Sequence, residues 1–544
     1  MRVALINPFK FQTELIKKNE PISLSYLKSY LENRSYSVEV FDFELIEDSE
    51  LIAILSYIAN DFDVVGISCY YPYIPTELSS SLKNFNEKII TIAGGPMASL
   101  KYKELLYENS PIDFIIVNEG EQTFFELLEQ LKNKYNCQEI QGVANFYDGQ
   151  VHFKPRSFIK NLDELEYPKR ETGYYDTYIP TIISSRGCNG RCTFCSTRYM
   201  GRWRGRTPEH VFEEILHIVN EHSQTHFQFV EPNFLENIQR ASNIADLINN
   251  IPQKLRFDFA CRVDSIISNE ECLKKLVNAG ASKVLLGIEN FDNKTLESWK
   301  KDINLNQIRK AFQILNKIEL NYSISLILFH PTVTKEDLIR NIEIIDELNI
   351  CDYIENLFNF LRLIPGTSMN PSTKDKNWNF ENKDVSTIFI NCIEFEKISC
   401  NYSLNIKSEN MKIKDNYQPL KNDLLRFSNI KRAKLNFLKN ELGMRTDLRI
   451  NYNNEEKIIF TINPYIKITS TKINECYDIY NLKTGLKYNM NESAMLYLKI
   501  LDGNTFKDVI DSFCEEIEDE NYINDFLILL KSLILSQILK CEVH

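Results

Sequence analysis

Apolar and polar positions along the first 145 residues fall into two alternating periods. Short apolar runs occur at 3–7, 38–43, 64–69, 89–93 and 114–117, and between them stretches such as 24–31 and 121–131 carry apolar residues at helical spacing. Strands alternating with helices predict an α/β fold, a Rossmann-like doubly wound parallel sheet with ligand sites at the carboxyl ends of its strands. After a linker at 146–180, with a turn at 147–150 between short strands 144–146 and 151–153, the alternation resumes. Apolar runs at 181–185, 227–230, 257–261, 284–288, 324–329 and 353–363 alternate with helical periodicity at 208–219, 269–279 and 304–315. Six parallel strands predict a partial (β/α)6 barrel with its chemistry at the C-terminal strand ends. From 401 the pattern is helical and basic, with a linker near 451–456. In the last segment, 477–480 and 486–488 flank Lys483-Thr484-Gly485, a hairpin signal, and three helices are expected near 491–501, 505–517 and 520–540. Strands plus three short helices predict an α+β, winged-helix-like module. The expected division is 1–145, 146–180, 181–400, 401–456 and 457–544.

Composition narrows the function classes. The chain has 544 residues and a net charge of −12, which argues against a general nucleic-acid binder. Its 13 cysteines are odd in number and scattered, which points to a reducing compartment. The N-terminus lacks the apolar core of a signal peptide, and no run of about 18 apolar residues occurs, so no membrane partner is expected and the cytoplasm is the expected location.

The densest chemistry is Cys188-Asn189-Gly190-Arg191-Cys192-Thr193-Phe194-Cys195, three thiols spaced C-x3-C-x2-C after a strand and the turn Arg186-Gly187. Soft thiolates at this spacing suit zinc or an iron–sulfur cluster. Free cysteines are usually buried singly. Three ligands leave a position open, and the next histidines, His210 and His217, lie beyond a basic loop. That favours reactive chemistry over a closed structural site. The N-terminal strand ends carry Ser68, Gly94-Gly95-Pro96 and Glu119-Gly120, where glycines let a ligand approach the backbone or simply make turns. Strand one is followed by Pro8-Phe9-Lys10-Phe11, so the G-x-G-x-x-G dinucleotide fingerprint is missing.

These features together resemble a known family. Pro21-Ile22-Ser23-Leu24 after strand one, Gly94-Gly95-Pro96 after strand four and Glu119-Gly120-Glu121-Gln122-Thr123 after strand five are similar to the cobalamin-binding domain that precedes many radical SAM enzymes. The resemblance implies cobalamin at Ser68, Gly94, Gly95, Pro96 and Glu119. The D-x-H-x-x-G motif is absent and no histidine precedes His152, so the cobalt receives no histidine from this domain. A domain that keeps the fold without the cofactor is the alternative. The cysteine loop resembles the radical SAM signature, with Phe194 before the third cysteine and Thr207-Pro208-Glu209 opening the next helix. This implies a 4Fe–4S cluster on Cys188, Cys192 and Cys195 and S-adenosylmethionine (SAM) on its open iron, an electron from the cluster cleaving SAM to a 5′-deoxyadenosyl radical. Phe194 is then expected near the adenine and Glu231 on the amino group. Arg262, followed by Asp264, is expected on the carboxylate or ribose, and Gly287 and Glu289 near SAM or substrate. A surface salt bridge reads Arg262 and Asp264 equally well, and His330 reads as structural. Only Cys69 and Cys137 occur in the N-terminal domain, unlike the methylthiotransferases, and the C-terminal cysteines are too scattered for an auxiliary cluster.

At the C-terminus, residues 489–494, Leu501-Asp502-Gly503, Thr505 and Val509-Ile510 resemble RiPP recognition elements, which bind leader peptides of ribosomal products by strand addition. The acidic Glu515, Glu516, Glu518, Asp519 and Glu520 oppose a DNA-binding winged helix, and a plain packing domain is the bland alternative. The resemblance therefore implies a cobalamin-dependent radical SAM enzyme that methylates an unactivated carbon of a precursor peptide and draws electrons from a flavodoxin or ferredoxin. The alternatives are a peptide epimerase or crosslinking enzyme, with Cys261 or Cys351 as the epimerase's hydrogen donor, and a non-enzymatic leader-peptide carrier with a relic barrel.

Overall fold

The computed structural model divides into two units, Met1–Lys383 and Asp384–His544. It describes residues 1–393 apart from 9–17, 71–74, 135–136, 138, 172–173, 365–366 and 371–379, then parts of 431–444 and strands between 458 and 543.

The first unit opens with a seven-stranded sheet. Strands β1 (Arg2–Asn7), β2 (Ser37–Asp42), β3 (Val64–Ser68), β4 (Ile90–Gly94) and β5 (Phe114–Ile116) run parallel, and β6 (Val143–Tyr147) and β7 (Gln150–Phe153) extend it antiparallel. The order is β2-β1-β3-β4-β5-β6-β7, so the hairpin expected within a linker belongs to this sheet. Strand β1 shows why the sheet is doubly wound. Val3 and Leu5 join a core with Leu24, Phe124 and Leu127, from helices α1 (Ile22–Glu32) and α5 (Glu121–Lys132). Ala4 and Ile6 face the opposite core with Ile58, Leu82 and Met97, from α2 (Leu51–Asp61), α3 (Thr76–Phe85) and α4 (Pro96–Leu105). A strand buried on both faces reads as an unbroken apolar run. The chain leaves β1 toward β2 and then crosses to β3, and this reversal opens a crevice at the carboxyl ends of β1 and β3.

The second sheet of this unit is parallel throughout, in the sequential order β8 (Thr181–Ile182), β9 (His226–Phe229), β10 (Arg256–Arg262), β11 (Ala281–Glu289) and β12 (Asn321–Leu326). It is covered by α6 (Pro208–His222), α7 (Ile238–Ile248), α8 (Val263–Ile267), α9 (Glu270–Asn278), α10 (Asn293–Ser298), α11 (Leu305–Lys317) and α12 (Lys335–Glu347). Thr207 caps α6, accepting from His210 N at 3.3 Å, with Pro208 in its first turn.

Two expected strands come out differently. The run 181–185 is a strand only at Thr181–Ile182, and Ser185–Arg186 turns away to pair antiparallel with Arg204–Gly205. The run 353–363 makes isolated parallel bridges, Ile324 with Ile354 and Phe329 with Phe360. Asparagine side chains interrupt it: Asn356 Oδ1 accepts from Phe358 N at 3.0 Å, and Asn359 Nδ2 donates to Leu326 O at 2.9 Å. The sheet is therefore a five-stranded arc with an irregular sixth segment.

In the second unit, residues 384–393 are helical, as are most described residues of 431–441, and Leu435, Leu438 and Leu442 are buried. Strand β13 (Ile458–Ile462) pairs antiparallel with β17 (Leu539–Val543). Strands β14 (Ile466–Ser470), β15 (Cys476–Asn481) and β16 (Lys487–Asn491) form an antiparallel meander that contains the expected hairpin. The three expected helices lie outside the described residues, except that 539–540 are strand and Asn491 ends β16. Among the described residues, no helix is long and apolar enough to cross a membrane.

Candidate active site

The carboxyl ends of β3 and β4 are laced together by Cys69 N, which donates to Gly94 O at 2.8 Å. Gly95 has φ +95°, and a Cβ there would stand 2.8 Å from Cys69 O, so this position demands glycine. Gly94 differs, because nothing lies within 4 Å of its would-be Cβ. Pro96 opens α4, and Ser68 is buried. Ser99 Oγ donates to Gly95 O at 2.8 Å and accepts from Asn118 N at 2.9 Å, which fixes the neighbouring ends. This rim offers backbone groups and open space. His152 stacks on Tyr147 in the distant hairpin, away from these strand ends.

Glu119 is engaged elsewhere. Its carboxylate accepts from Ile159 N at 2.7 Å, Arg186 Nη1 at 3.2 Å and Arg204 Nη1 at 2.9 Å. Glu121 also binds Arg186, at 2.5 Å. Arg186 and Arg204 are cross-strand partners on either side of the cysteine loop, so an acidic pair beyond β5 holds both ends of that loop. The Arg186 guanidinium is nine-tenths buried; burial works against its charge, but the glutamates outweigh it and hold it protonated.

Inside the loop, Gly187 has φ +80°, and a Cβ there would lie 2.4 Å from Arg202 O. The three thiols are partly exposed. Gly190 N donates to Cys188 Sγ at 3.3 Å, and Thr197 N to Cys195 Sγ at 3.4 Å. Burial pushes the Cys188 thiol up. Among the described residues no His, Cys, Asp or Glu trio is gathered tightly enough for one ion. A cluster spreads its thiolates over several irons, so three thiols on one loop with backbone donors fit it better than they fit zinc. Thr193 N donates to Trp299 O at 3.0 Å, and Phe194 lies edge-on to Trp299 with centroids 5.4 Å apart. Trp299, Ile327 and Leu361 form an apolar wall with Phe194 packed against it.

The barrel strand ends carry charge. Glu231, after β9, is buried and accepts from Ser184 Oγ and, at 3.4 Å, from Ser184 N. Burial raises its pKa. Nearby Arg240 is lowered to about 10 by burial, and its Nη1 has no partner. Arg262, ending β10, forks onto Asp264, with Nε to Oδ1 at 2.9 Å and Nη2 to Oδ2 at 3.1 Å. The arginine side chain is 12% exposed and that of Asp264 41%, so the pair sits at the edge of the site with its cation buried and its carboxylate open to solvent. Glu289, ending β11 at φ +71°, pairs with Lys301 Nζ at 3.0 Å and accepts from Ser325 Oγ at 3.2 Å. A Cβ on Gly287 would lie 2.9 Å from Glu289 Oε1, so Gly287 makes room for this pair. Lys301 and Trp299 carry no sequence signal of their own, and the segment after α10 brings both to the site. His330 is buried, lowered to about 4 by burial, and its Nε2 has no partner.

The candidate hydrogen donors do not face this rim. Alternation along β10 puts Cys261 on the face opposite Arg262. Cys351 lies in the turn after α12, at the amino end of the strands.

Comparison with known proteins agrees with this geometry. The Radical SAM superfamily matches residues 182–345, and the B12 binding domain matches 17–128. This chain is an enzyme of the cobalamin-dependent radical SAM kind. Its cofactors are a 4Fe–4S cluster, SAM and cobalamin. Similar proteins include an uncharacterized methyltransferase, PH0819, of Pyrococcus horikoshii, 29% identical over 64% of this chain and 77% of the relative. An anaerobic magnesium-protoporphyrin IX monomethyl ester cyclase of Synechocystis is 25% identical over 58% of this chain and 66% of the relative. The fold matches the cobalamin-dependent SAM radical enzyme OxsB, solved with aqua-cobalamin and SAM bound, at TM-score 0.69 and 18% identity over 80% of this chain and 72% of that one.

Proposed function

We propose that this enzyme transfers a methyl group to an unactivated carbon of a ribosomally made precursor peptide, in the cytoplasm. The observation that carries the reading is the junction of two strand-end rims in one unit. The open glycine rim of the first sheet and the cysteine loop of the second are tied by Glu119 through Arg186 and Arg204.

When bound, the cluster and SAM supply an organic radical, and cobalamin supplies a methyl carrier. Cys188, Cys192 and Cys195 hold the cluster. Glu231, held by Ser184 at the end of β9, takes the methionyl ammonium. Phe194, braced by Trp299, packs against the adenine. Arg262, Gly287 and Glu289 line the remainder of the SAM site. The apolar wall of Trp299, Ile327 and Leu361 keeps water from the radical. Ser68, Gly94, Gly95 and Pro96 offer backbone to the corrin, and Glu119 steadies the loop between the two cofactors.

Peptide recognition falls to the second unit. Its meander has β14 and β16 as outer strands among the described residues, the arrangement that strand addition requires. A flavodoxin or ferredoxin supplies the electron, and neither nucleic acid nor membrane takes part. The orientation of Cys261 and the position of Cys351 weaken an epimerase reading, since a hydrogen donor must face the radical.

Anaerobic incubation of the reconstituted enzyme with SAM, reductant, hydroxocobalamin and a candidate precursor peptide tests the reaction, with the methylated peptide read by mass spectrometry. Methyl transfer yields both S-adenosylhomocysteine and 5′-deoxyadenosine. 5′-Deoxyadenosine alone points to cyclisation, crosslinking or epimerisation, and neither product points to a relic barrel.

A further inference from the structure

The Arg262 guanidinium lies against the cysteine loop. Its Nη1 donates to Cys192 Sγ at 3.7 Å. The same nitrogen sits 3.0 Å from where a Cβ on Gly190 would stand, so the loop comes this close because position 190 has no side chain. The rest of the guanidinium is fixed, by the fork onto Asp264 and by Nη2 donating to Lys301 O at 2.9 Å. A group held this firmly presents a stationary donor to one thiol of three. Among the described residues, the hydrogen bonds to the other two thiols come from backbone N–H groups, of Gly190 and Thr197. Lys301, whose carbonyl receives Arg262 Nη2, is itself buried and pairs with Glu289 through Nζ at 3.0 Å.

Resting on the reading that Cys192 is a cluster ligand, we propose that Arg262 is a positioning residue for the cluster that raises its reduction potential through a charge-assisted hydrogen bond to Cys192 Sγ. Reduction adds one negative charge to the cluster, and a fixed cation bonded to a ligand sulfur stabilises the reduced form more than the oxidised one. Partners of this kind, one bond beyond the ligands, also orient the ligand they touch. Of the three ligand thiols, Cys192 is the one through which Arg262 would act.

The test is an EPR-monitored redox titration of the anaerobically reconstituted full-length chain, after iron and sulfide have been counted. Wild type is compared with Arg262→Gln and Arg262→Lys. Asp264 is 41% exposed, so water solvates it once its partner is gone, and both variants are expected to fold. In Arg262→Gln the ratio of reduced to oxidised cluster at a fixed potential falls about tenfold or more, the worth of one hydrogen bond to a charged group. Arg262→Lys keeps the charge but not the fork, and gives a smaller fall. Where one variant loads incompletely, the other carries the comparison. A loaded variant with the wild-type potential overturns the proposal. 5′-Deoxyadenosine formation by the wild type is measured alongside: its absence defeats the radical SAM reading of the site, whereas the potential shift alone decides the role of Arg262.

Discussion

The two strand-end rims of the first unit are built from opposite chemistry. At the ends of β3 and β4 stand Ser68, Gly94, Gly95 and Pro96, uncharged and partly open. At the ends of β9, β10 and β11 stand Glu231, Arg262 and Glu289, with Lys301 alongside, and these side chains are largely buried. On the proposed assignment, the contrast follows from what each rim would receive. A large flat corrin is seated by backbone and by space, whereas a zwitterion and an anionic cluster need fixed charges in a low-dielectric setting. A buried charge is costly unless paired, which explains why nearly every charged group on the barrel rim already has a partner.

Substitutions that push each rim toward the other's character test this contrast. Replacing Cys188, Cys192 and Cys195 by Ala is expected to take SAM cleavage to background, read as 5′-deoxyadenosine, while hydroxocobalamin binding to the glycine rim persists. Retained cleavage would sink the cluster assignment. Glu289→Gln strands the Lys301 ammonium and is expected to cost about 3–4 kcal/mol in urea denaturation of the cofactor-free protein. Adding Lys301→Met should recover most of that loss, because the two residues act as one pair.

A pH test probes the barrel end. His330 is lowered to about 4 by burial, below its unfolded value, so the unfolded chain binds the proton first. Stability is then lost as pH falls through the region between the unfolded and folded values. Between pH 7 and pH 5 the loss is about 2 kcal/mol, and it should vanish in His330→Phe. On the other rim, Gly95→Ala meets the Cys69 carbonyl at positive φ and should cost about 1–2 kcal/mol. Gly94→Ala enters open space, so stability should change by less than about 0.5 kcal/mol. Its effect should appear as weaker hydroxocobalamin binding in a spectral titration, and unchanged affinity would remove Gly94 from the corrin seat.

Much of this layout is readable along the chain. Strand β1 is buried on both faces, so its apolar run and the helical periods around it point directly to a doubly wound sheet. The cysteine spacing is local and survives without coordinates. What escaped depends on distant partners. The run 353–363 is apolar enough for a strand, but Asn356 and Asn359 use their side-chain amides where a ladder would run. The strand at 181–185 ends early because Ser184 is taken by partners from other elements, its N–H by Glu231 and its carbonyl by Arg206 N and Arg240. Lys301 looks like any surface lysine until Glu289, twelve residues before it, is seen across the strand end. Glu119, expected at the corrin, pairs with Arg186 and Arg204 of the short two-stranded ribbon beside the cysteine loop, which no local pattern announces. Cys261 illustrates the converse, since the alternation that turns it away from the site is present in the sequence itself.

The measurement closest to the central claim is an anaerobic reconstitution with iron, sulfide and hydroxocobalamin, followed by desalting, a visible spectrum, and metal and cobalamin counts. Two differently built rims in one unit predict about one 4Fe–4S cluster and one cobalamin retained per chain, with the cluster lost and the cobalamin kept in the triple Cys→Ala variant. A wild-type chain that retains its cluster but no cobalamin would contradict the account.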